Sequence, residues 1–353
     1  MTRSNQISKN DTDMLIQMEA NMKFDSIEDK IMTSLEPHKS HIDLRIKTVK
    51  ILKEILKQNR DLIETLLEQK PFLAPKAIEL YSTLSDTIIL VALNITMKYL
   101  HPIANPTNSE KICLVAVGGY GRRELAPFSD IDLLFLTPYK QTAWGESVIE
   151  TVLYILWDLK LKIGYSVRTI EDCLRLSLQD FTIRTSLLDN RYLAGERTLQ
   201  TDLDSRLWVE LFANSPSEFI EAKLTERTNR HNRQGRSRYM LEPNVKEGKG
   251  GLRDLQTLYW ITKYLYRTSS QEKLIEAGVF TKEELLIFEK AENFLWSVRC
   301  GLHLLSKRAG EQLNFTSQVE LSKRFGYIDK QGMRAVETFM QLYFLHAKNV
   351  GDL

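Results

Sequence analysis

The stretch LVAVGGYGRRELAPFSDIDLLFL, Leu114 to Leu136, decides the fold, because it sets a glycine pair and an acidic pair into one strand–turn–strand frame. Leu114 to Val117 is an apolar run that reads as a buried strand, and Gly118 and Gly119 break it. A polar connector then leads to a second strand, Ile131 to Leu136, which Asp130 and Asp132 open. Side chains alternate along a strand, so both carboxylates point to one face and Ile131 to the other. Two carboxylates held together repel unless a cation sits between them. Mg²⁺ takes oxygen ligands completed by water and substrate phosphates. A nucleoside triphosphate meets that description, so the motif predicts metal-dependent nucleotidyl transfer with Asp130 and Asp132 as metal ligands. Lacking Cβ, Gly118 and Gly119 let backbone N–H groups approach phosphate oxygens. A short helix beginning across Arg122 to Leu125 would turn its positive end to the same phosphates, and Ser129 offers a hydroxyl beside the metal. The competing reading is a tight turn followed by two solvated aspartates. The glycine pair and the apolar strands on both sides weigh against it.

Outward from this core the chain reads as three parts. Residues 1–36 are polar and read as a loosely held arm. Residues 37–200 form a helical lead-in and the core. From Asp43 to Leu100 apolar residues recur at helical spacing (Ile51, Leu52, Ile55, Leu56, then Leu62, Ile63, Leu66), which predicts two or three amphipathic helices. The core then alternates strand 112–117, strand 131–136, helix 144–161 and strand 162–168. Residues 201–353 read as a helical domain, with Trp208, Trp260 and Trp296 on apolar stripes as core. The fold class that follows is α+β: a mixed sheet flanked by N-terminal helices and a C-terminal helical domain.

A second block, EPNVKEGKGGLRDLQTLYW (Glu242 to Trp260), has its own logic. Gly248, Gly250 and Gly251 make a loop that feeds a helix starting near Leu252, with Lys246, Lys249 and Arg253 beside it. Such a loop is a ready anion site. The alternative is a structural linker in which Asn244 and Asp254 act as caps. The absence of a GK[ST] ending excludes a Walker loop. Between Arg227 and Arg238 lie five arginines and one glycine, which read as a solvated loop able to steer an acidic partner. No interleaved aromatics are present to stack bases, which argues against nucleic acid.

Composition agrees with these readings. At 353 residues, 43% hydrophobic and 27% charged, the chain can bury two cores, and a formal net charge of +2 excludes an overall polyanion-binding surface. Cys113, Cys173 and Cys300 are scattered and odd in number, so neither a disulfide framework nor a zinc site is expected. The first residues lack the apolar core of a signal peptide, and the longest apolar run, Ile88 to Leu93, is too short to cross a bilayer. A cytoplasmic protein without membrane partners is the expectation.

The run GGYGRRELAPFSDIDLLFL resembles the glycine-pair, Asp-x-Asp core of the nucleotidyltransferase superfamily that includes DNA polymerase beta. More narrowly, it is similar to the N-terminal half of the protein-PII uridylyltransferase/uridylyl-removing enzyme family. That family also carries blocks like Glu242 to Trp260, Leu156 to Leu174 (LWDLKLKIGYSVRTIEDCL) and Asp180 to Gly195 (DFTIRTSLLDNRYLAG). The likeness spans the chain from about Leu84 onward. It implies a polymerase-beta-like core, Mg²⁺, and transfer of UMP from UTP to a tyrosine of the signalling protein PII. It also implies nucleotide contacts from Gly118, Gly119, Arg122 and Ser129, and from Lys246, Gly250, Gly251 and Arg253 of the second block. Sites of the superfamily usually add a third carboxylate from a later strand. Ile163 to Arg168 carries Ser166 and no acid, while Glu171, Asp172, Asp180 and Asp189 follow, and Asp180 is the favoured third catalytic acid. The family's uridylyl-removing HD hydrolase and glutamine-sensing ACT domains have no counterpart before Leu353, and no adjacent His-Asp pair occurs. The resemblance therefore implies a transferase without uridylyl-removing activity, its lost domains absent or on a separate chain. The alternative is a catalytically weak remnant that binds nucleotide or PII without transfer.

Overall fold

The computed structural model describes residues 22–34, 41–139, 141–214, 216–235, 239–268, 270–330 and 332–351, together with Ile16 and Ala20. They form two compact units. The first comprises residues up to 65, 78–125 and 129–211, and the second comprises 66–77, 126–128 and 212 onward.

The N-terminal part of the chain is helical, with residues 66–77 of it counted in the second unit. Helix α1 (Phe24–Thr33) buries Ile27 and Ile31, and its Glu28 accepts from Lys98 Nζ at 3.0 Å and Tyr99 Oη at 3.1 Å. The loosely held arm expected over 1–36 is therefore a packed helix at 24–33, while 1–15 lie outside the described residues. One helix, α2 (His41–Gln69), carries both apolar clusters read from the sequence. It is followed by a 3₁₀ turn, by α3 (Ala74–Ile95) and by a π-helical turn over Thr96–Leu100. Taken together, Pro71–Leu100 is long and apolar enough to cross a membrane, contrary to the reading from its short apolar run. Yet 72% of its most apolar window is buried within the protein, as in a core helix.

The sheet contains β1 (Cys113–Ala116), β2 (Ile131–Leu136), β3 (Ile163–Arg168) and β4 (Arg191–Gly195) in the order β3-β2-β1-β4. Between β1 and β2 lies a single helical turn, α4 (Gly118–Gly121). Antiparallel pairing joins β1 to both β2 and β4, whereas β2 and β3 run parallel, so the sheet is mixed. A parallel pair needs a crossover, supplied here by α5 (Ala143–Asp158), whose start Thr142 caps by accepting from Gly145 N–H at 3.1 Å. Past β3 come α6 (Ile170–Gln179), α7 (Phe181–Leu188) and, after β4, α8 (Arg197–Arg206). Strand β4 escapes the periodicity because none of its residues is fully buried, so backbone pairing with β1 rather than an apolar face defines it.

The second unit is helical: α9 (Pro216–Arg233), α10 (Leu252–Tyr266), α11 (Gln271–Glu276), α12 (Lys282–Ser306), α13 (Phe315–Arg324) and α14 (Ala335–Gly351). Trp260 and Trp296 are core, as is an aromatic cluster in which Phe339 meets Phe325 at 5.7 Å and Phe294 at 6.1 Å; Trp208, in the first unit, is only half-buried. The arginine stretch expected as a solvated loop is helical through Arg233, while Arg236 and Arg238 lie outside the described residues. Its buried stripe is Phe219, Lys223 and Arg230, a helical spacing hidden because two of the three are charged. Lys223 bonds Glu226 at 2.6 Å and lies over the Trp260 ring at 5.2 Å.

Arg299 of α12 grips Glu311 through Nε at 3.0 Å and Nη2 at 2.8 Å, and His303 Nε2 approaches the same carboxylate at 3.5 Å. Burial opposes the Glu311 charge, but His303 and Arg299 outweigh it and hold the carboxyl at about 2. Burial pushes the His303 imidazole below its usual value. The signs agree. The lowered carboxyl stabilises the fold above pH about 4.5 and loses that contribution as pH falls toward 2. The lowered histidine favours the fold above its unfolded value and penalises it on acidification. Urea unfolding followed by tryptophan fluorescence should therefore show stability falling from pH 6 toward pH 2. Glu311→Gln should flatten the lower part of that slope, by on the order of 3 kcal/mol at neutral pH.

Candidate functional site

Asp130 immediately precedes β2 and Asp132 is its second residue. Ile131 is 4% exposed, whereas Asp130 is exposed and Asp132 half-buried, so the alternation read from the sequence is the alternation of the strand. Two glycine backbones leave room for the Asp132 carboxylate. In parallel register Asp132 faces Gly164, where a Cβ would stand 2.5 Å from Oδ1. On the other side is Gly118, with φ +59, where a Cβ would lie 3.5 Å from Oδ2. Ser129 Oγ is buried with no hydrogen-bond partner.

Gly118 turns the chain out of β1. Val117 N–H donates to Asp132 O at 3.1 Å, and the amides of Gly121, Arg122 and Glu124 donate to Val117, Gly118 and Gly119 carbonyls. The helical turn is therefore Gly118–Gly121 itself, one turn earlier than the expected start at Arg122. Gly121 sits against backbone, since a Cβ there would lie 1.8 Å from Asp189 O.

Arg122, assigned to the nucleotide from sequence, is committed within the fold. Its side chain is 7% exposed and bonds Glu124 at 2.8 Å and Asp189 at 2.5 Å. Burial disfavours its charge, but the two carboxylates outweigh burial and hold the guanidinium pKa above its ordinary value. The charge thus serves the turn's architecture.

The second block lies in the second unit and closes on itself. Asn244 Oδ1 accepts from the amides of Lys246 at 3.1 Å and Glu247 at 2.7 Å. Gly251, Leu252 and Arg253 amides donate to Gly248, Val245 and Lys246 carbonyls, and Gly250 N–H donates to Asp254 Oδ2 at 2.8 Å. The amides at the start of α10 are consequently occupied, and the anion cradle expected from Gly250 and Gly251 is not what this loop presents. Its glycines answer crowding instead: a Cβ at Gly250, with φ +78, would lie 2.0 Å from Ala347 O. Arg253 Nη1 donates to Gln256 at 2.9 Å and its guanidinium lies over the Trp260 ring at 5.3 Å. Burial, then the neighbouring Arg299 and Arg253, lower the Lys246 pKa. Asn244 closes the turn at 244–247, and α10 has Gly251 at its N-cap with no side-chain cap bond, so neither Asn244 nor Asp254 is its N-cap.

The described residues contain no group of three or more His, Cys, Asp or Glu side chains arranged for a metal. Two carboxylates with an orphan hydroxyl nearby still fit a hard divalent cation, because Mg²⁺ keeps several waters and is commonly bound by one or two carboxylates plus substrate phosphates. Asp130 and Asp132 would hold it.

Comparison with known proteins bears on this geometry. The profile of the GlnD PII-uridylyltransferase family matches residues 218–353. A bifunctional uridylyltransferase/uridylyl-removing enzyme of Cereibacter sphaeroides is 57% identical over 295 residues, 84% of this chain. Residues 218–353 belong to the PII-uridylyltransferase family. A protein of the same description from Ruegeria pomeroyi is 54% identical over 310 residues, 88% of this chain. The chain spans about a third of these relatives' length, 32% and 34% respectively.

The structure also brings forward residues that sequence reasoning missed. Asp86 of α3 accepts from Tyr120 Oη at 2.6 Å and from both terminal nitrogens of Arg191, on β4, at 2.8 and 3.0 Å. Arg191 in turn donates to the carbonyls of Tyr120 and Gly121 at 3.2 Å. This network grips the helical turn that carries the glycine pair. No local pattern could reveal it, since its members lie 34 and 105 positions apart. Asp180, the favoured third acid, is exposed and caps α7, accepting from Thr182 N–H at 2.6 Å. Asp180→Ala should lower stability by about 1 kcal/mol in thermal unfolding, the usual worth of an N-cap. All three cysteines are free and buried, with burial pushing each thiol up to about 12.

Proposed function

We propose that this chain transfers a uridylyl group from UTP to a tyrosine of PII, with Asp130 and Asp132 holding Mg²⁺. The observation that carries the reading is the Asp132 carboxylate, set between the backbones of Gly118 and Gly164 with Asp130 on the same strand face. The names of the relatives support uridylyl transfer, and the match over most of the chain includes both glycine-containing blocks.

In this reading the residues divide the work. Gly118 and Gly119 turn the backbone so that amides face the triphosphate without a side chain in the way, and Ser129 supplies a hydroxyl that its own fold leaves unpartnered. Asp130 and Asp132 fix the cation, which when bound offsets the charge that develops on the phosphoryl oxygens. The tyrosine oxygen attacks the α-phosphorus and its proton passes to water, the bond to the bridging oxygen breaks, and pyrophosphate leaves with the electron pair. The Asp86–Arg191–Tyr120 network keeps the turn fixed while this happens.

A second reading, nucleotide or PII binding without transfer, is favoured by the absence of a third clustered acid among the described residues. One assay separates the two. The chain is incubated with α-labelled UTP, Mg²⁺ and PII. Label on a PII tyrosine supports transfer, and retention of UTP without label supports binding alone.

A further inference from the structure

Two sequence motifs that the transfer reading does not use converge in the second unit. Arg227 and His231 of α9, from the arginine-rich stretch, line one cavity of about 120 Å³ with Lys249 and Asp254 of the glycine block. Leu258 and Ile261 supply an apolar wall. The Asp254 charge is already answered: Arg230 Nη2 bonds it, His231 Nε2 lies 2.9 Å away, and Gly250 N–H donates to it. Arg227 and Lys249 line the cavity, half-buried, and have no ion-pair partner among the described residues. The cavity therefore carries excess positive charge.

The backbone on either side of Lys249 is closely packed. Gly248 and Gly250 flank it, and a Cβ at either would lie 2.5 Å from Asn244 O or 2.0 Å from Ala347 O, so the backbone on both sides is pinned. A lysine presented from a rigid loop loses little order when it binds, which favours a built site over a solvated charge. Lys249 also borders a neighbouring cavity of about 270 Å³ together with Arg233, which adds to the positive field. The volume sets the ligand class. The smaller cavity holds roughly four water volumes, enough for a single phosphoryl group and below the range of roughly 300–1,000 Å³ typical of larger organic ligands.

We propose that this cavity is a phosphate-binding site carried by the second unit's own residues, with Arg227 and Lys249 as its ligands. The test is calorimetric titration of the chain with inorganic phosphate in magnesium-free buffer, with UMP as a second arm. Saturable binding of phosphate is expected. Arg227→Gln and Lys249→Gln should each weaken it about tenfold or more, as loss of a charge-assisted bond does. The melting temperature without phosphate should stay unchanged, because neither side chain has a partner to lose. An Asp130→Asn/Asp132→Asn double variant should bind phosphate as the native chain does, which keeps this result independent of the transferase reading. Equal affinity for UMP and phosphate assigns the phosphoryl group alone, and tighter UMP binding assigns a nucleotide monophosphate. Absence of saturable phosphate binding by the native chain, or binding that survives both glutamine substitutions, would overturn the proposal.

Discussion

Asp130→Asn and Asp132→Asn should each lower uridylyl transfer to PII at least a thousandfold, about 4 kcal/mol of transition-state stabilisation. Asparagine keeps the size of aspartate but removes the charge that would hold a divalent cation. The fold should not suffer. Asp130 is exposed and Asp132 lies in the space left by Gly118 and Gly164, so neither side chain is load in the core. Their Cα atoms stand about 7 Å apart along the strand, and without metal the two like charges repel. Each substitution should therefore leave the metal-free melting temperature equal or slightly raised, and Mg²⁺ should stabilise the native chain more than either variant. The measurements are label transfer from UTP and thermal unfolding with and without Mg²⁺. Undiminished label in either variant would remove the carboxylate pair from the mechanism. Lost label accompanied by a large drop in melting temperature would assign the residues to structure.

Legibility from sequence followed locality. Strand β2 and the placement of its aspartates were plain because a period of two repeats within six residues and apolar runs flank it. Helix α5 and strand β3 were readable for the same reason. The helical turn at Gly118–Gly121 was shifted, since glycines argue for a break and only the closing bonds to Val117, Gly118 and Gly119 carbonyls reveal a turn of helix. Strand β4 and helix α9 were obscured by charge: Arg191, Lys223 and Arg230 occupy positions where a periodicity rule expects apolar residues. Each is tolerated because a specific partner meets it, Asp86 for Arg191, Glu226 for Lys223 and Asp254 for Arg230. Those partners are distant or unremarkable in sequence. The ion pairs of Arg122 were hidden in the same way, for its carboxylates come from two residues on and from 67 residues on.

That last pair gives the strongest stability prediction. Asp189 is 2% exposed, its side chain is wholly buried, and Arg122 is 7% exposed at its side chain. Removing one partner of a buried pair leaves the other charge without compensation, which costs about 3–5 kcal/mol. Asp189→Ala should therefore destabilise the chain by that amount, moderated by the bond Arg122 keeps to Glu124 at 2.8 Å. Asp189→Leu combined with Arg122→Met should recover a good part of the loss, because a well-packed apolar pair avoids the desolvation that the ion pair must offset. Urea denaturation of Asp189→Leu, Arg122→Met and the double variant measures the coupling directly. The same cycle decides what Arg122 does. If it served mainly to bind triphosphate, Arg122→Met would raise the KM for UTP while leaving stability nearly unchanged, and Asp189→Ala would be mild. The buried geometry predicts the reverse order: a large stability loss for each single change, strong coupling between them, and transfer activity that falls only as far as the helical turn at Gly118–Gly121 loses its anchorage to Asp189.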